Sequence, residues 1–388
     1  MLHLDAAATS PVREEALAAA WPFLTGAFGN PSSTHRLGEE AAAALVDARR
    51  SVAAVLGCRA SEVVFTSGGT EANNLAVKGI ALANPRGRHL VTSRIEHESV
   101  LASVDYLVRF HGFEATFVEL DARGRVTEAA LAETLRHDTT LVSLATANNE
   151  VGTVQDVAAL TGVAQARGVP FHADAVQAAG SLDVSMAATG VDALSVSGHK
   201  LGAPKGVGVL AVRSRVALEP LLHGGGQERG RRSGTENVAF AVAFAVALRL
   251  ADAERPAGAA RDAFIANVLT SIPDAWLTGH ASARLPRHAS FVVPGVNGET
   301  VLLELEQRGV LASAGAACAA GHDEPSHVLL ALGYEGDEAR TALRFTWGAS
   351  TTRADLEGVA AALAEIVAKV VTKVVARVAS PTRPRALQ

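Results

Sequence analysis

The sequence predicts an α/β fold with a mostly parallel sheet and helices on both faces. Short apolar runs alternate with helix-like segments through the first half of the chain, as expected when crossover helices connect parallel strands. The chain has 388 residues, so about two domains are expected rather than one small core. With 48% apolar and 19% charged residues, the composition is that of an ordinary globular protein.

The predicted elements start after a turn-rich segment. Residues 1–35 are expected to be irregular, because Asp, Asn, Ser, Gly and Pro cluster there. A helix over 37–56, ended by Gly57, precedes a short buried strand over 62–66 and a helix over 72–83. Further strands are predicted at 89–93, 115–120, 141–146, 169–172 and 193–197, separated by helices near 98–111, 127–136 and 156–167.

The pattern changes past about residue 250. Residues 251–256 mark a predicted boundary, after a long Ala-rich helix that begins at Asn237. The remainder contains a predicted strand at 289–293, a helix over 299–308, a strand at 341–347 and a final helix over 354–378. These elements predict a second, smaller domain.

Composition and charge exclude several classes of function. A formal net charge of −5 provides no basic surface for nucleic acid or acidic membranes. No uncharged run is long enough to span a membrane, and the N-terminal residues lack the pattern of a secretory signal. Two cysteines, Cys58 and Cys318, are too few for a disulfide framework, so a reducing compartment, the cytoplasm, is expected.

The candidate for covalent chemistry is Lys200, in the segment Ser197-Gly198-His199-Lys200. The apolar run 191–196 ends here in small polar residues, followed by glycine and proline. A lysine held on a turn beside a packed sheet can form a Schiff base with an aldehyde, because burial lowers its pKa. When this segment is considered alone, a surface loop with a solvated lysine is the favoured alternative.

Two other strand ends offer groups for a phosphate and for a heterocycle. Gly69 and Thr70 lie between a predicted strand and helix, where backbone N–H groups can bind an anion, although for this motif alone an ordinary N-cap by Ser67 or Thr70 is the favoured interpretation. The segment is not a P-loop, because the Gly-Lys-Ser/Thr ending is missing. Asp174 follows the 169–172 strand; it could keep a pyridine nitrogen protonated, or it could cap a helix.

Four more segments have both a functional and a structural interpretation. His97 could stack on a cofactor ring or shuttle protons, although a lone histidine is more often structural. Asn149 belongs to an Asn pair, which favours turns for local reasons. The glycine-rich arm 223–235 could reach a phosphate or a neighbouring subunit, or be a flexible loop. Cys318 could carry a thiol to a substrate on a mobile loop, or be a buried free cysteine.

Taken in this order, the segments resemble the cysteine desulfurases, fold-type-I pyridoxal-phosphate enzymes of the aminotransferase class V group. The likeness runs from Leu4-Asp5 to Arg344-Phe345. Its most specific parts are Ser197-Gly198-His199-Lys200, Arg232-Ser233-Gly234-Thr235 and Ser313-x-Gly315-x-x-Cys318. The resemblance implies a large domain over 13–253 with a seven-stranded-type sheet. It also implies a small α+β domain from 1–12 and 254–388 that carries the cysteine loop.

The resemblance implies a role for each matching position. Lys200 would bind the cofactor, pyridoxal 5'-phosphate, and take the α-proton of the substrate, while Cys318 would become a persulfide. Asp174 would pair with the pyridine nitrogen, Gln177 would contact the phenolic oxygen, and His97 would stack on the ring. The positions implied to hold the phosphate are Gly69, Thr70, Ser197 and His199, with Thr235 from the partner subunit of a homodimer. The positions implied to hold the substrate carboxylate are Asn149 and Arg344.

The implied activity converts L-cysteine to L-alanine and leaves the sulfur on Cys318. The longer cysteine loop is typical of the subgroup that supplies iron–sulfur cluster assembly and tRNA thiolation, so an acceptor or scaffold protein is expected. No resident metal is expected, although Cys318 could transiently ligate an iron–sulfur cluster. Selenocysteine lyase and cysteine sulfinate desulfinase remain as alternatives that need Cys318 less. An aminotransferase and a non-catalytic scaffold are less favoured.

Overall fold

The computed structural model describes residues 1–84, 86–314 and 324–379, with side chains up to residue 372. The chain forms two compact units. The larger unit consists of residues 7–256 and 279–285. The smaller unit consists of residues 1–6, 257–278 and 286–388, as far as they are described.

The strands of both units are short, as expected for a compact α/β chain. In chain order they are β1 (Leu2–His3), β2 (Val63–Thr66), β3 (His89–Thr92), β4 (Glu114–Phe117), β5 (Thr139–Ala145), β6 (Phe171–Asp174), β7 (Ala193–Ser197), β8 (Gly208–Val212), β9 (Trp276–Leu277), β10 (His288–Val292), β11 (Val310–Leu311) and β12 (Ala342–Thr346).

The helices follow the strands through most of the chain. In chain order they are α1 (Glu14–Thr25), α2 (Arg36–Leu56), α3 (Gly69–Asn74), α4 (Ile80–Ala83), α5 (Glu98–His111), α6 (Glu128–Thr134), α7 (Val157–Ala166), α8 (Met186–Thr189), α9 (Val238–Ala253), α10 (Ala259–Ser271), α11 (Gly298–Gln307), α12 (His327–Ala331), α13 (Gly336–Ala339) and α14 (Arg353–Ala379). A π-helical stretch, Leu75–Gly79, joins α3 to α4. Within the described ranges, no helix has the length and apolar character needed to cross a membrane.

The central sheet of the larger unit has the strand order β2-β8-β7-β6-β5-β3-β4 among the described residues. Strands β3 to β7 pair in parallel, while β8 runs antiparallel to both of its neighbours, β2 and β7. The parallel strands therefore end at one edge of the sheet, the edge at which open α/β sheets bind ligands. The predicted α/β fold with a mostly parallel sheet is confirmed.

The middle strands of this sheet are completely buried, as expected for parallel sheets with helices on both faces. Strand β6 contains a histidine, His172, whose two ring nitrogens both lie within hydrogen-bonding distance of serine hydroxyls on the neighbouring strands. The ring nitrogens lie 2.9 Å from Ser143 Oγ and 2.8 Å from Ser195 Oγ. Burial lowers the pKa of His172 to about 3, so the ring is neutral at ordinary pH. His172 and the two serines therefore add no charge to the core of the sheet.

The expectation that residues 1–35 are irregular is wrong, because α1 and β1 lie there. The helix is flanked by turn-forming residues and contains Pro22, which normally breaks a helical pattern. It is stable here because Ala16 and Ala20 are buried and α1 packs against α9. Tertiary packing decides this element, rather than local propensity.

Strand β6 and the start of α3 also differ from expectation. Strand β6 lies two residues later than predicted, so Asp174 is its last residue, with the register Ala145–Asp174–Ser195 across three strands. Helix α3 begins at Gly69, before the predicted 72–83 helix. The antiparallel strand β8 was not predicted at all. Its apolar run follows a glycine-rich turn and carries no periodic signal of its own.

The smaller unit has its own sheets and core. Strand β10 pairs antiparallel with β12 and β9, and β1 pairs in parallel with β11. The core is aromatic: the ring of Phe264 lies 5.5 Å from that of Phe345 and 5.9 Å from that of Trp347, both edge-on. These contacts fix β12, which carries Arg344.

Candidate active site

A glycine cradle lies where β2 turns into α3. A Cβ atom on Gly69 would lie 2.7 Å from Val176 Cγ2 and 3.2 Å from Ser197 Cβ, so a side chain does not fit there. The next residue, Thr70, is exposed. The first backbone N–H groups of a helix have no acceptor within the helix. The structure therefore brings Gly69, Thr70 and Ser197 together around a cradle suited to an anion.

Glu71 ties this cradle to the glycine-rich arm. Its carboxylate accepts a hydrogen bond from the backbone N–H of Ser67 at 2.7 Å and one from Arg232 Nε at 3.0 Å. Burial works to raise the pKa of Glu71, but the bonds from Arg232 and Ser67 hold it below its usual value. The arm is thus held against the start of α3, and Thr235 at its end is exposed.

Lys200 is presented by the turn that follows β7. Its Nζ atom donates to the carbonyl oxygen of Ala7 and, at 2.6 Å, to that of Ala8. Gln177 Nε2 donates to the same Ala7 oxygen at 3.1 Å. The amine and the amide, predicted to act on one cofactor, therefore converge on a single atom of the larger unit.

His199 is a neutral ring in this turn. Burial lowers its pKa to about 4, and the charges of Lys200 and Lys205 add to this effect. Its Nδ1 atom lies 3.1 Å from Thr9 Oγ1, and its carbonyl oxygen accepts from Ser10 N at 2.9 Å. A neutral imidazole can still donate one N–H, so His199 is able to bind an anion without carrying charge.

Asp174 ends β6 with both carboxylate oxygens engaged. Oδ1 accepts from Val176 N at 2.9 Å, and Oδ2 accepts from Asn73 Nδ2 at 2.6 Å. Asn73 lies on α3 and is 1% exposed, and sequence reasoning missed it. One signal was available: Asn73 follows Gly69 by four residues, so the two share a helix face.

His97 is the N-cap of α5 and connects to the same network. Its Nδ1 atom accepts from the backbone N–H of Ser99 at 3.0 Å and lies 2.7 Å from Ser99 Oγ. Ser99 Oγ in turn accepts from Asn73 Nδ2 at 2.9 Å. His97 and Asp174 are thereby linked through Ser99 and Asn73.

Glu96 is a second buried carboxyl group near Asp174 that the sequence did not single out. Burial raises its pKa to about 8, opposed by a 2.6 Å hydrogen bond from Ser93 Oγ, and the charge of Asp174 raises it further. At neutral pH, Glu96 is therefore mostly the uncharged acid.

Asn149 lies half-buried in a turn that its neighbour Asn148 anchors. Asn148 Nδ2 donates to the carbonyl of Ile95 at 2.8 Å, and its Oδ1 accepts from Glu150 N at 2.8 Å and Val151 N at 2.9 Å. Asn148 thus stabilises the turn, and its bond to Ile95 ties the turn that contains Asn149 to the segment just before His97.

The smaller unit holds Arg344 in the middle of β12. The arginine is 2% exposed, and its Nη2 donates to Asp5 Oδ1 at 2.8 Å. Its backbone pairs with Ser313 in both directions, so the start of the predicted cysteine loop is fixed beside it. Cys318 itself lies outside the described residues.

These residues fit pyridoxal 5'-phosphate. The close packing of Gly69 against Val176 and Ser197 brings the N–H groups at the start of α3 near the Ser197 hydroxyl, which suits a phosphate. A buried carboxylate with both oxygens oriented suits a protonated ring nitrogen, and a lysine amine suits an aldehyde. These three features match the phosphate, the ring nitrogen and the aldehyde of the cofactor.

An α/β unit with a lysine, an anion cradle and an acidic strand end at one sheet edge defines the fold-type-I pyridoxal-phosphate enzymes. Solved structures agree. A NifS-like protein superposes with a TM-score of 0.87 at 34% identity, covering 95% of this chain and 99% of the other. A structure titled SspA in complex with cysteine gives 0.79 at 35% identity, covering 89% and 98%.

The chain belongs to the aminotransferase class-V family, whose model matches residues 2–359. Among curated proteins, it is 42% identical to cysteine desulfurase IscS of Dictyoglomus turgidum, over 94% of each chain. It is 43% identical to an IscS-like cysteine desulfurase of Mycobacterium tuberculosis, over 92% of this chain and 94% of the other. The predicted membership of this family, and the dependence on pyridoxal phosphate, are confirmed.

Proposed function

We propose that this chain is a cysteine desulfurase that passes the sulfur of L-cysteine to its own Cys318 and releases L-alanine. The observation that carries the proposal is the convergence of Lys200 and Gln177 on one carbonyl, in the same unit as the Gly69 cradle and Asp174. The relatives named above bear the same activity in their names.

The cofactor would be held by residues of the larger unit. Pyridoxal 5'-phosphate, when bound, supplies an electron-accepting ring that stabilises negative charge at the substrate Cα. Lys200 would bind its aldehyde carbon, Asp174 would hold the ring nitrogen protonated, and Gln177 would donate to the phenolic oxygen. His97 would stack on the ring. The amine of Lys200 would also be the base that takes the Cα proton of the substrate.

The phosphate would occupy the cradle between β2 and β7. Gly69 and Thr70 offer backbone and hydroxyl donors, Ser197 adds a hydroxyl, and neutral His199 donates one N–H. Thr235, exposed at the end of the arm, would complete the site of a second copy of this chain. The proposal therefore includes a homodimer.

The substrate carboxylate would be held by Asn149 and by the guanidinium of Arg344. A planar guanidinium binds a carboxylate through two parallel hydrogen bonds, which fixes the orientation of the amino acid as well as its charge. Arg344 has the rigid surroundings that this task needs, because it is buried in β12 and paired with Asp5.

Sulfur transfer is the step assigned to Cys318. Its thiolate attacks the sulfur of the substrate, so a sulfur–sulfur bond forms while the carbon–sulfur bond of the substrate breaks. The electron pair of the broken bond stays on the carbon skeleton, which takes up protons and leaves as alanine. The balance is L-cysteine plus enzyme thiol to L-alanine plus enzyme persulfide.

The sulfur would then move to an acceptor or scaffold protein. We infer iron–sulfur cluster assembly as its use, with tRNA thiolation as a second outlet, and during delivery Cys318 could transiently ligate a cluster. Cys318 must be an unoxidised thiol before it attacks the substrate, and cysteines stay reduced in the cytoplasm, so the cytoplasm is the proposed location.

The test is alanine formation from L-cysteine and a reductant by the purified protein. We expect alanine and sulfide in equal amounts, without a keto-acid acceptor, and we expect Lys200→Ala and Cys318→Ala to abolish both. Cys58→Ala is the matched control. Burial, with a contribution from Glu62, raises the pKa of the Cys58 thiol to about 11, so this thiol is a poor nucleophile and its loss leaves the rate unchanged. Full turnover by Cys318→Ala would contradict the persulfide route and favour a lyase or desulfinase.

A further inference from the structure

We propose that Asn73 is a positioning residue whose single side-chain amide orients both Asp174 and, through Ser99, His97. The inference rests on the proposed roles of Asp174 and His97 at the cofactor ring. It adds two residues that those roles do not include, since neither Asn73 nor Ser99 belongs to the predicted site.

The amide of Asn73 is placed to act on both groups at once. Nδ2 carries two hydrogens; one points to Asp174 Oδ2 at 2.6 Å and the other to Ser99 Oγ at 2.9 Å. Asn73 is 1% exposed, and Asp174 and Ser99 are each 6% exposed. Water therefore cannot easily substitute for either bond, and the loss of a buried donor leaves its acceptor unsatisfied.

The orientation of the amide follows from its neighbours. The opposite orientation would place the amide oxygen against the carboxylate oxygen of Asp174, which is repulsive. Nδ2 must then face Asp174, and Oδ1 points away; it is buried with no hydrogen-bond partner among the described residues. The Asp174 carboxylate thus determines the orientation of the Asn73 amide, and the amide in turn holds the carboxylate in place.

The contacts between Ser99 and His97 determine which atoms donate and which accept. The backbone N–H of Ser99 can only donate, so His97 Nδ1 is an acceptor. Ser99 Oγ accepts from Asn73 and has its own proton available for the same Nδ1 atom. In its neutral form His97 therefore carries its proton on Nε2, and the ring is held at a fixed angle to α5.

A neutral hydrogen-bond donor is the side chain that best suits position 73, beside the charged Asp174. Glu96 is mostly uncharged at neutral pH, so it does not compete with Asp174 for a cation at the ring nitrogen. An aspartate at position 73 would put a second charge beside Asp174, and a leucine would remove the donor. A neutral amide supplies the donor without adding charge.

The test compares Asn73→Leu, Ser99→Ala and Ser103→Ala in the apoenzyme and the holoenzyme. Ser103 is the matched control: it is a buried serine one turn further along α5, and its hydroxyl donates only to the backbone oxygen of Ser99 at 2.6 Å. Two quantities are measured. The first is the affinity of the apoenzyme for pyridoxal phosphate, and the second is the ¹⁵N chemical shift of the labelled cofactor ring nitrogen.

The bond from Asn73 to Asp174 and the bond from Asn73 to Ser99 predict different results when each is removed. Asn73→Leu should weaken cofactor affinity at least about tenfold and shift the ring-nitrogen signal toward the unprotonated position, because Asp174 loses a charge-assisted bond. Ser99→Ala should weaken affinity about threefold but keep the parent ring-nitrogen signal, since Asn73 still holds Asp174. Ser103→Ala should match the parent in both.

The proposal is overturned if Asn73→Leu keeps the parent affinity and ring-nitrogen signal, or if Ser99→Ala cannot be distinguished from Ser103→Ala in affinity. Circular dichroism of the apoenzyme checks that Asn73→Leu is folded, and Ser99→Ala keeps the proposal testable if it is not. Neither readout depends on which amino acid is consumed, so failure here leaves the roles of Lys200 and Cys318 standing.

Discussion

The guanidinium of Arg344 donates to the carboxylate of Asp5 at 2.8 Å, and both belong to the smaller unit. The arginine is almost completely buried, so its charge needs a partner within the protein. Asp5 supplies that partner from the N-terminal segment, where the backbone of Leu4 bonds to Leu311 and Thr346. The residue proposed to hold the substrate carboxylate is thus oriented by a carboxylate of the chain itself.

Asp5→Asn should raise the KM for L-cysteine by about three- to tenfold with little change in kcat, because a charge-assisted bond that orients Arg344 becomes a neutral one. Steady-state kinetics over a range of cysteine concentrations measures both. Asp337→Asn is the matched control, since Asp337 pairs with Arg340 at 3.0 Å but is fully exposed. An unchanged KM in Asp5→Asn would show that Asp5 does not orient the arginine.

Glu96→Gln should flatten the pH dependence of apoenzyme stability. Burial raises the pKa of Glu96 from its usual value of 4.5 to about 8 in the folded protein, so its contribution to stability is complete below the unfolded pKa and is lost as the pH rises toward 8. Between pH 5.5 and pH 8 this loss should be about 3 kcal/mol, and the glutamine, which does not titrate, should abolish it.

Urea unfolding of the apoenzyme at the two pH values measures this difference. Glu98→Gln, which changes an exposed carboxyl group two residues away, should keep the parent pH dependence. If the Glu96→Gln protein lost as much stability as the parent between the two pH values, Glu96 would not be the titrating group.

Gly69→Ala should weaken the binding of pyridoxal phosphate by more than about tenfold and cost about 1–3 kcal/mol of stability, because the added Cβ would lie 2.7 Å from Val176 Cγ2. Gly162→Ala on α7 is the control; its Cβ would meet nothing within 4 Å, and alanine there should be neutral or slightly stabilising. Fluorescence titration of the apoenzyme reports the affinity. Parent-like binding by Gly69→Ala would place the phosphate elsewhere.

Glu228→Gln should destabilise the larger unit and loosen the arm that carries Thr235. Arg49 donates to both oxygens of Glu228, at 2.7 and 2.9 Å, and both side chains are buried. Removing one charge of such a pair costs about 3–5 kcal/mol. The control is Asp47→Asn, whose exposed pair with Arg50 should contribute less than about 1 kcal/mol. Equal unfolding midpoints for the two variants would contradict this assignment.

Local patterns predicted that Lys200 and Asp174 lie at or just after the ends of strands, whereas contacts between distant segments could not be predicted from the sequence. The strand before Lys200 was predicted at 193–197, where the structure has it, because an apolar run followed by small residues is a local signal. Asn73 lies 101 residues from Asp174 in the chain, and no periodicity in the sequence connects them. The same holds for α1, which packing against α9 stabilises despite Pro22.

Mass spectrometry after a single turnover shows whether the sulfur of L-cysteine moves to Cys318. The holoenzyme is mixed with one equivalent of L-cysteine, without reductant, and digested after alkylation. We expect one equivalent of alanine and the mass of one added sulfur atom on the peptide that contains Cys318, with none on the Cys58 peptide. Alanine without added sulfur on Cys318, or added sulfur on Cys58, would contradict this expectation.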